Sequence, residues 1–274
     1  MKKMKKGRWK SYLEKKSRLT VVTYTVVRLL VVLVLVRSIF TGQLESVFTC
    51  LLTLFLLFLP AIVSRKLHMQ LPTGLEIKVI LFIFAAEILG ELACFYVKVP
   101  FWDKALHTTS GFIYAAVGYS MADILNRDRR TKFELSPIFL ALVAFCFSMT
   151  IGALWEIFEF SVDCLFMKDM QKDTIIHTIT SVSLDPTNSN IPITISGIND
   201  VVVNGESLGL GGYLDIGLID TMGDLIVNLI GALVFSVIGF FHQKSKHRSK
   251  VAEMFVPTVQ EEENSDERER KSEN

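Results

Sequence analysis

Residues 137–166 read PIFLALVAFCFSMTIGALWEIFEFSVDCLF, and no charged residue appears in this run before Glu156. As a helix, thirty residues would extend about 45 Å, more than the ~30 Å of hydrocarbon in a bilayer. Apolar residues occupy every face of that helix over its first nineteen positions, which marks a segment in lipid rather than an amphipathic core helix. The run then carries Glu156 and Glu159 three residues apart, with Asp163 one turn further on. Ionisable side chains at membrane depth cost several kcal/mol and mark functional sites by default. The same thirty residues therefore decide the fold class and supply the first candidate site.

Further apolar runs lie on either side, at 20–40, 46–64, 74–97, 104–125 and 218–241. Half of the 274 residues are hydrophobic, the mean hydropathy is +0.41 and only 21% are charged, which excludes an ordinary soluble domain. The reading is all-α: a polytopic transmembrane helix bundle of about six spans, surrounded by the lipid bilayer. Lys and Arg mark the cytoplasmic connections. They crowd the amino terminus, Arg65 and Lys66, the turn from Arg127 to Lys132, and the stretch from Lys244 to Lys250. Both termini are thus expected in the cytoplasm.

Three regions follow. Residues 1–19 form a basic cytoplasmic tail leading into a first span without a small-residue cleavage site, read as a retained signal anchor. Residues 20–241 form the membrane domain, including an outer polar loop at 168–217. Residues 242–274 form a charged cytoplasmic tail, expected to be disordered beyond Glu261. Within the outer loop, β-like runs at 191–195 and 201–203 and the Asn204-Gly205 pair predict a small hairpin. The four cysteines show no CxxC spacing and read as small apolar packing residues. The chain has no Walker loop, no GxGxxG and no GxSxG. Nucleic acid is not an expected partner, because the positive-inside rule already accounts for the basic amino terminus.

Acidic residues recur at helical spacing: Glu87 with Glu91, Asp103 with His107, Glu156 with Glu159, and Asp220 with Asp224, with Asn228 one turn deeper. Under the expected orientation all of these fall in the outer half of the membrane. The sequence therefore predicts a convergent cluster. Carboxylates crowded in low dielectric cannot all ionise without a compensating charge. Three compensations fit: a divalent metal ion held by Asp103, His107, Glu156, Glu159, Asp220 and Asp224; shared protons; or an arginine from the first span, Arg28 or Arg37. Structural readings stand beside these. Asp103 and Asp220 suit the first turn of a helix, Glu91 suits the membrane interface, His177 suits a solvated loop, and Gly111, Gly152, Gly223 and Gly231 suit close helix packing.

Three motifs in order carry a resemblance. They are Trp102-Asp103-Lys104-Ala105-Leu106-His107 with Gly111-Phe112, then Ala153-Leu154-Trp155-Glu156-Ile157-Phe158-Glu159, then Asp220-Thr221-Met222-Gly223-Asp224 with Asn228 and Gly231-Ala232. Over 102–232 the chain resembles the bacterial inner-membrane family that includes the YjdF proteins. More distantly it is similar to the VanZ-like family associated with glycopeptide resistance. That family's middle motif is Glu-x-x-Gln followed by an arginine, whereas this chain has Glu159 and no arginine nearby. The resemblance implies a membrane bundle and reinforces the site, without implying a reaction.

Three functions are compatible with these residues. One is a membrane-embedded, metal-dependent enzyme acting on a lipid or cell-envelope precursor, with Glu156, Glu159 and His107 as catalytic acid/base groups. Another is a small proton- or cation-coupled transporter, which needs a polar path through inner halves that read as nearly uncharged apart from Arg28. The third is a non-catalytic envelope protein that binds a partner through its outer loop.

Overall fold

The computed structural model describes residues 17–66, 69–70, 72–127, 134–245, 252, 254–256 and 258–259. The basic tail before Ser17, the basic turn at 128–133 and the acidic end beyond 259 lie outside the described residues. The protein is a mostly helical membrane bundle, with small antiparallel strand pairs between two of its helices. It divides into two compact units, one of residues 1–149 with 228–274 and one of residues 150–227.

In the first unit, α1 (Arg18–Phe40) is one unbroken helix whose outward residues, such as Leu29, Leu33 and Ile39, are exposed as lipid-facing residues must be. The next apolar run is not continuous. It forms α2 (Leu44–Leu56) and α3 (Leu59–Lys66), separated at Leu57 and Phe58. Pro60 causes the break, since it lacks an N–H and its ring clashes with the carbonyl four residues back, that of Leu56. The two helices together still give a span-length apolar stretch over Leu44–Ile62.

The third run also departs from a single helix. After α4 (Thr73–Phe84) the chain widens into a π-helix over Ala85–Leu92, and Cys94, at φ 60°, separates this from the short α5 (Phe95–Lys98). Gly90 takes part in this exit, because a Cβ there would stand 2.3 Å from the Tyr96 ring. Helices α1, α2 and α4 meet around Tyr24, Val31, Cys50, Leu57 and Ile80, all buried.

The fourth run is α6 (Trp102–Arg127), the fifth α7 (Pro137–Phe166) and the sixth α8 (Leu218–Lys244). Among the described residues, four stretches are both long and apolar enough to cross a membrane: Arg18–Phe40, Leu44–Ile62, Pro137–Phe166 and Leu218–Lys244. Helix α6 is long enough but less apolar. It is sheathed by protein rather than lipid, with Ala115, Ala116, Tyr119 and Ser120 all at 0–1% exposure.

Helices α6 and α8 run side by side in one direction, and backbone meets backbone between them. A Cβ on Gly231 would lie 2.1 Å from the Thr108 carbonyl oxygen, and one on Gly111 would lie 2.3 Å from that of Asn228. Phe112 and Phe235 then pack edge to face at 5.0 Å, and Tyr119 reaches His242 at the far end. The first half of α7 joins this seam where the Ser148 hydroxyl donates to the Gly111 carbonyl at 2.7 Å.

The unit also contains residues from beyond α8. Ala252, Phe255 and Val256 are buried with Leu75, Phe112 and Phe235, and β8 (Thr258–Val259) pairs antiparallel with β1 (Met69–Gln70). The expected charged tail thus contributes to the core at 252–256.

The second unit holds the end of α7, the start of α8 and the polar connection between them. Strand β2 (Ile175–Ile176) pairs with β7 (Tyr213–Leu214), and β3 (Thr178–Ser181) with β4 (Ile193–Ser196). The predicted hairpin is present as β5 (Val202–Val203) and β6 (Glu206–Ser207). Asn204 and Gly205, at φ 54° and 88°, make the two left-handed positions of a type I′ turn.

Replacing Gly231 by Ala must push α6 and α8 apart or distort one of them, an overpacking that costs about 1–3 kcal/mol. The melting temperature in detergent should fall by roughly 2–12 °C, whereas Val234→Ala on the exposed face of α8 should leave it nearly unchanged.

Candidate functional site

In the first unit, α6 starts directly after Phe101, whose φ of 63° turns the chain sharply into the helix. Asp103 then lies in the first turn, where the helix dipole favours a negative charge. One turn on, His107 brings its Nε2 to 3.6 Å from Asp103 Oδ1, with the two side chains 11% and 25% exposed. Lys104 Nζ lies 3.6 Å from the other Asp103 oxygen. The neighbouring hydroxyls are committed to their own helix: Thr108 donates to the Lys104 carbonyl, Thr109 to that of Ala105 and Ser110 to that of His107. None of them is set up as a nucleophile.

Deeper in the same unit, Asn228 is 1% exposed. Its amide nitrogen donates to Met149 Sδ at 3.5 Å, while its Oδ1 has no hydrogen-bond partner among the described residues. A buried carbonyl oxygen left without a donor costs about 1–3 kcal/mol, and a cation would relieve that cost.

In the second unit, the sequence places Gly152, Glu156 and Glu159 along one stripe of α7, and these are the buried positions of that half of the helix. Glu156 is 5% and Glu159 8% exposed, and each brings an oxygen within 4.8 Å of the other. The Trp155 indole N–H donates to Glu159 Oε1 at 2.8 Å, an i to i+4 contact that orients the carboxylate. On α8, Asp224 is 1% exposed. Within this unit the carboxylates of Glu156, Glu159 and Asp224 are, by donor type and burial, of the kind that suits a hard divalent ion.

Other acids serve the backbone. Asp163 accepts the N–H groups of Met170 and Gln171 at 2.7 and 2.9 Å, closing the exit of α7. Asp220 accepts the Lys172 N–H at 2.9 Å, and Gln171 donates to the Thr221 hydroxyl. The sequence reading gave Asp220 the same standing as Asp224, yet Asp224 is the buried one and Asp220 binds the loop.

Asp215 went unnoticed in the sequence. Burial pushes its carboxyl up, but the N–H groups of Thr174, Ile219 and Gly217 outweigh this and hold it below its ordinary range. Its signal was an acid followed by Gly217 just ahead of the first turn of α8. Asp173 moves the opposite way, raised by burial and by Asp169, Asp215 and Asp163.

Several candidates lie elsewhere. Glu87 is half-buried and Glu91 exposed on the π-helix. His177 is exposed on the strand region, with its Nδ1 2.9 Å from the Ile198 carbonyl. The Arg28 guanidinium lies over the rings of Tyr24 and Phe58 at 4.8 and 4.5 Å, and Arg37 is exposed at the end of α1. At the opposite end of α6 and α8 are Asp123 at 1% and His242 at 2% exposure, flanking Tyr119. These buried polar residues escaped the sequence reading because each sits at the polar end of its span, close to Asn126-Arg127 or Gln243-Lys244, where a charge reads as interfacial.

The family of predicted membrane proteins designated DUF2238 matches residues 23–245, and the chain belongs to it. This is the family of the YjdF proteins. A Thermotoga maritima protein, described as uncharacterized, is 30% identical over 106 residues, covering 39% of this chain. The chain spans about half (53%) of that relative's length. No solved structure matches.

Asp185 offers a clean titration outside the spans. Hydrogen bonds from the Thr187 hydroxyl and N–H, and from the Ile191 and Ser189 N–H groups, bring its carboxyl from 3.8 down to about 2. A depressed carboxyl contributes stability above its unfolded value and loses it as pH falls through the folded value. Exchange protection of the Thr187, Ser189 and Ile191 amides should therefore fall between about pH 4 and pH 2. Asp185→Ala should abolish it at neutral pH, and constant protection factors would refute the assignment.

Proposed function

We propose that this DUF2238 member crosses the bacterial cell membrane six times with both ends in the cytoplasm, and that its outward-facing Asp/Glu/His cluster binds a divalent metal ion. The ion's holders would be Asp103, His107, Glu156, Glu159 and Asp224, with Asp220 at the rim. The observation that carries this reading is the burial of Glu156, Glu159 and Asp224, at 5%, 8% and 1% exposure. Carboxylates so desolvated need a positive partner.

The class of activity proposed is an enzyme acting on a lipid or cell-envelope precursor. When bound, the ion would act as a Lewis acid and lower the pKa of bound water. The chain's own residues would supply proton transfer and orientation. His107, with its Nε2 3.6 Å from Asp103 Oδ1, can be biased to one tautomer and move a proton at its other ring nitrogen. Glu159, fixed by the Trp155 N–H, can accept a proton without changing rotamer. A run of lipid-exposed side chains on α7, including Leu154, Ile157 and Phe158, would let an acyl chain approach from the bilayer.

One observation favours cation or proton transport as a second reading. Tyr119, Asp123 and His242 put buried polar groups in the inner half, where the sequence had suggested an uncharged barrier.

Metal content, measured by inductively coupled plasma mass spectrometry on protein purified in detergent, tests the proposal. Wild type and Asp123→Asn should carry about one divalent ion per chain, and Glu156→Gln and Asp224→Asn should lose it. A metal-free, monodisperse wild type would overturn the metal site and leave the transport reading ahead.

A further inference from the structure

One charge stands inside the first span. Between Arg18 and Arg37, helix α1 carries no charged residue except Arg28. The Arg28 guanidinium lies over the rings of Tyr24 and Phe58, its Nε has no hydrogen-bond partner, and it forms no ion pair among the described residues. A guanidinium keeps its charge in proteins, and at membrane depth that charge is costly unless paired. The two aromatic faces offset part of the cost but supply no oxygen to the N–H groups.

A second positive feature adjoins it. The Phe58 carbonyl accepts the Ile62 N–H at 3.0 Å, which makes Phe58 the residue that caps α3. Phenylalanine has no side-chain oxygen to offer, and the N–H groups at the start of α3 have no acceptor within that helix. In hydrocarbon no water replaces the missing acceptor. Phe58 and Leu59 are both exposed, so this corner opens to lipid.

Both arms of the α1–α2 hairpin put these groups at one depth. The twelve residues from Arg28 to Phe40 and the fourteen from Leu44 to Phe58 correspond to about 18 and 21 Å of helix. In a hydrocarbon layer of ~30 Å, both points lie past the midplane, in the leaflet where α1 starts. Tyr24 is one turn nearer that surface, and the guanidinium leans over it as a snorkelling arginine does.

We propose that Arg28 and the first turn of α3 hold the phosphate group of a membrane lipid, drawn in from that leaflet at the break between α2 and α3. A phosphate matches both features, since it accepts the guanidinium fork bidentately and suits the positive end of a helix. Exposed apolar side chains nearby, Leu29 on α1 and Phe55 on α2, give its acyl chains a surface to lie on. The site rests on neither the metal reading nor the orientation proposed above.

The test is native mass spectrometry on the full-length protein in detergent, titrated with dioleoyl phosphatidate, with dioleoylglycerol or with inorganic phosphate. Wild type should take up about one phosphatidate per chain, and should bind dioleoylglycerol about tenfold more weakly or worse. Arg28→Met removes the charge but keeps an unbranched side chain. It should weaken phosphatidate binding about tenfold or more, the factor for losing a charge-assisted contact. Arg28→Lys, which keeps the charge and loses the fork, should fall between. Phe58→Asp places a carboxylate where it caps α3 and neutralises Arg28 from within the chain, so it should exclude the lipid from a folded protein. Arg37→Met, at the exposed arginine of the same helix, should bind as wild type does. Equal phosphatidate binding by wild type, Arg28→Met and Phe58→Asp, all monodisperse, would overturn the site. Inorganic phosphate bound as tightly as phosphatidate, and lost in Arg28→Met, would uphold the anion site and overturn its lipid occupant.

Discussion

The contact on which the first unit depends is the approach of two backbones, Gly231 of α8 against the Thr108 carbonyl and Gly111 of α6 against that of Asn228. Inside a bilayer, burying apolar side chains gives helices little reason to associate, because lipid tails are equally apolar. Close packing and hydrogen bonds must supply the attraction. The glycines provide the first and the Ser148 hydroxyl, donating to the Gly111 carbonyl, provides the second. Because these contacts are between main-chain atoms, they fix register more tightly than interleaved leucines could. Three helices are thereby indexed to one another at one level. His107, one turn from Gly111, and Asn228 inherit their positions from that index.

Much of this was legible in the sequence because membrane insertion is a coarse physical filter. An apolar run of span length has few alternatives, so the helices were recoverable from composition and length. The Asn204-Gly205 hairpin was legible because its turn demands two left-handed residues. Less legible were features that depend on partners. Pro60 sits in an otherwise uniform run, and only the need for a hydrogen bond at Leu56 turns it into a break. The π-helix at Ala85–Leu92 has no signature beyond Gly90, whose meaning comes from the Tyr96 ring. Phe255 carries no signal in the sequence, since periodicity is invisible in so short an apolar stretch.

The acids divide in a way that spacing alone does not reveal. Asp163, Asp185, Asp215 and Asp220 all satisfy backbone N–H groups of the polar connection between α7 and α8. Each N–H that a carboxylate accepts stabilises its charged form without any counter-ion. Such residues explain how a connection with only short strand pairs keeps a defined course. In the sequence Asp163 and Asp220 are indistinguishable from Glu156, Glu159 and Asp224, because a helical spacing of three or four says which residues share a face and not what that face meets.

Burial separates the two sets. Asp224 at 1% exposure and Glu156 at 5% have exchanged water for protein, and a desolvated carboxylate is tolerated only when neutralised by a proton, a cation or a basic side chain. Of the two arginines on α1, Arg28 lies over the faces of Tyr24 and Phe58 and Arg37 is exposed. A proton would suffice for one carboxylate. For several on neighbouring turns, each added proton removes an acceptor and creates a donor needing its own partner. A divalent ion avoids that difficulty, since it takes several oxygen and nitrogen donors at once and leaves none as a stranded O–H. The free Oδ1 of Asn228 fits the same reasoning: a cation can use a carbonyl oxygen, whereas a protonated acid supplies one donor and no more.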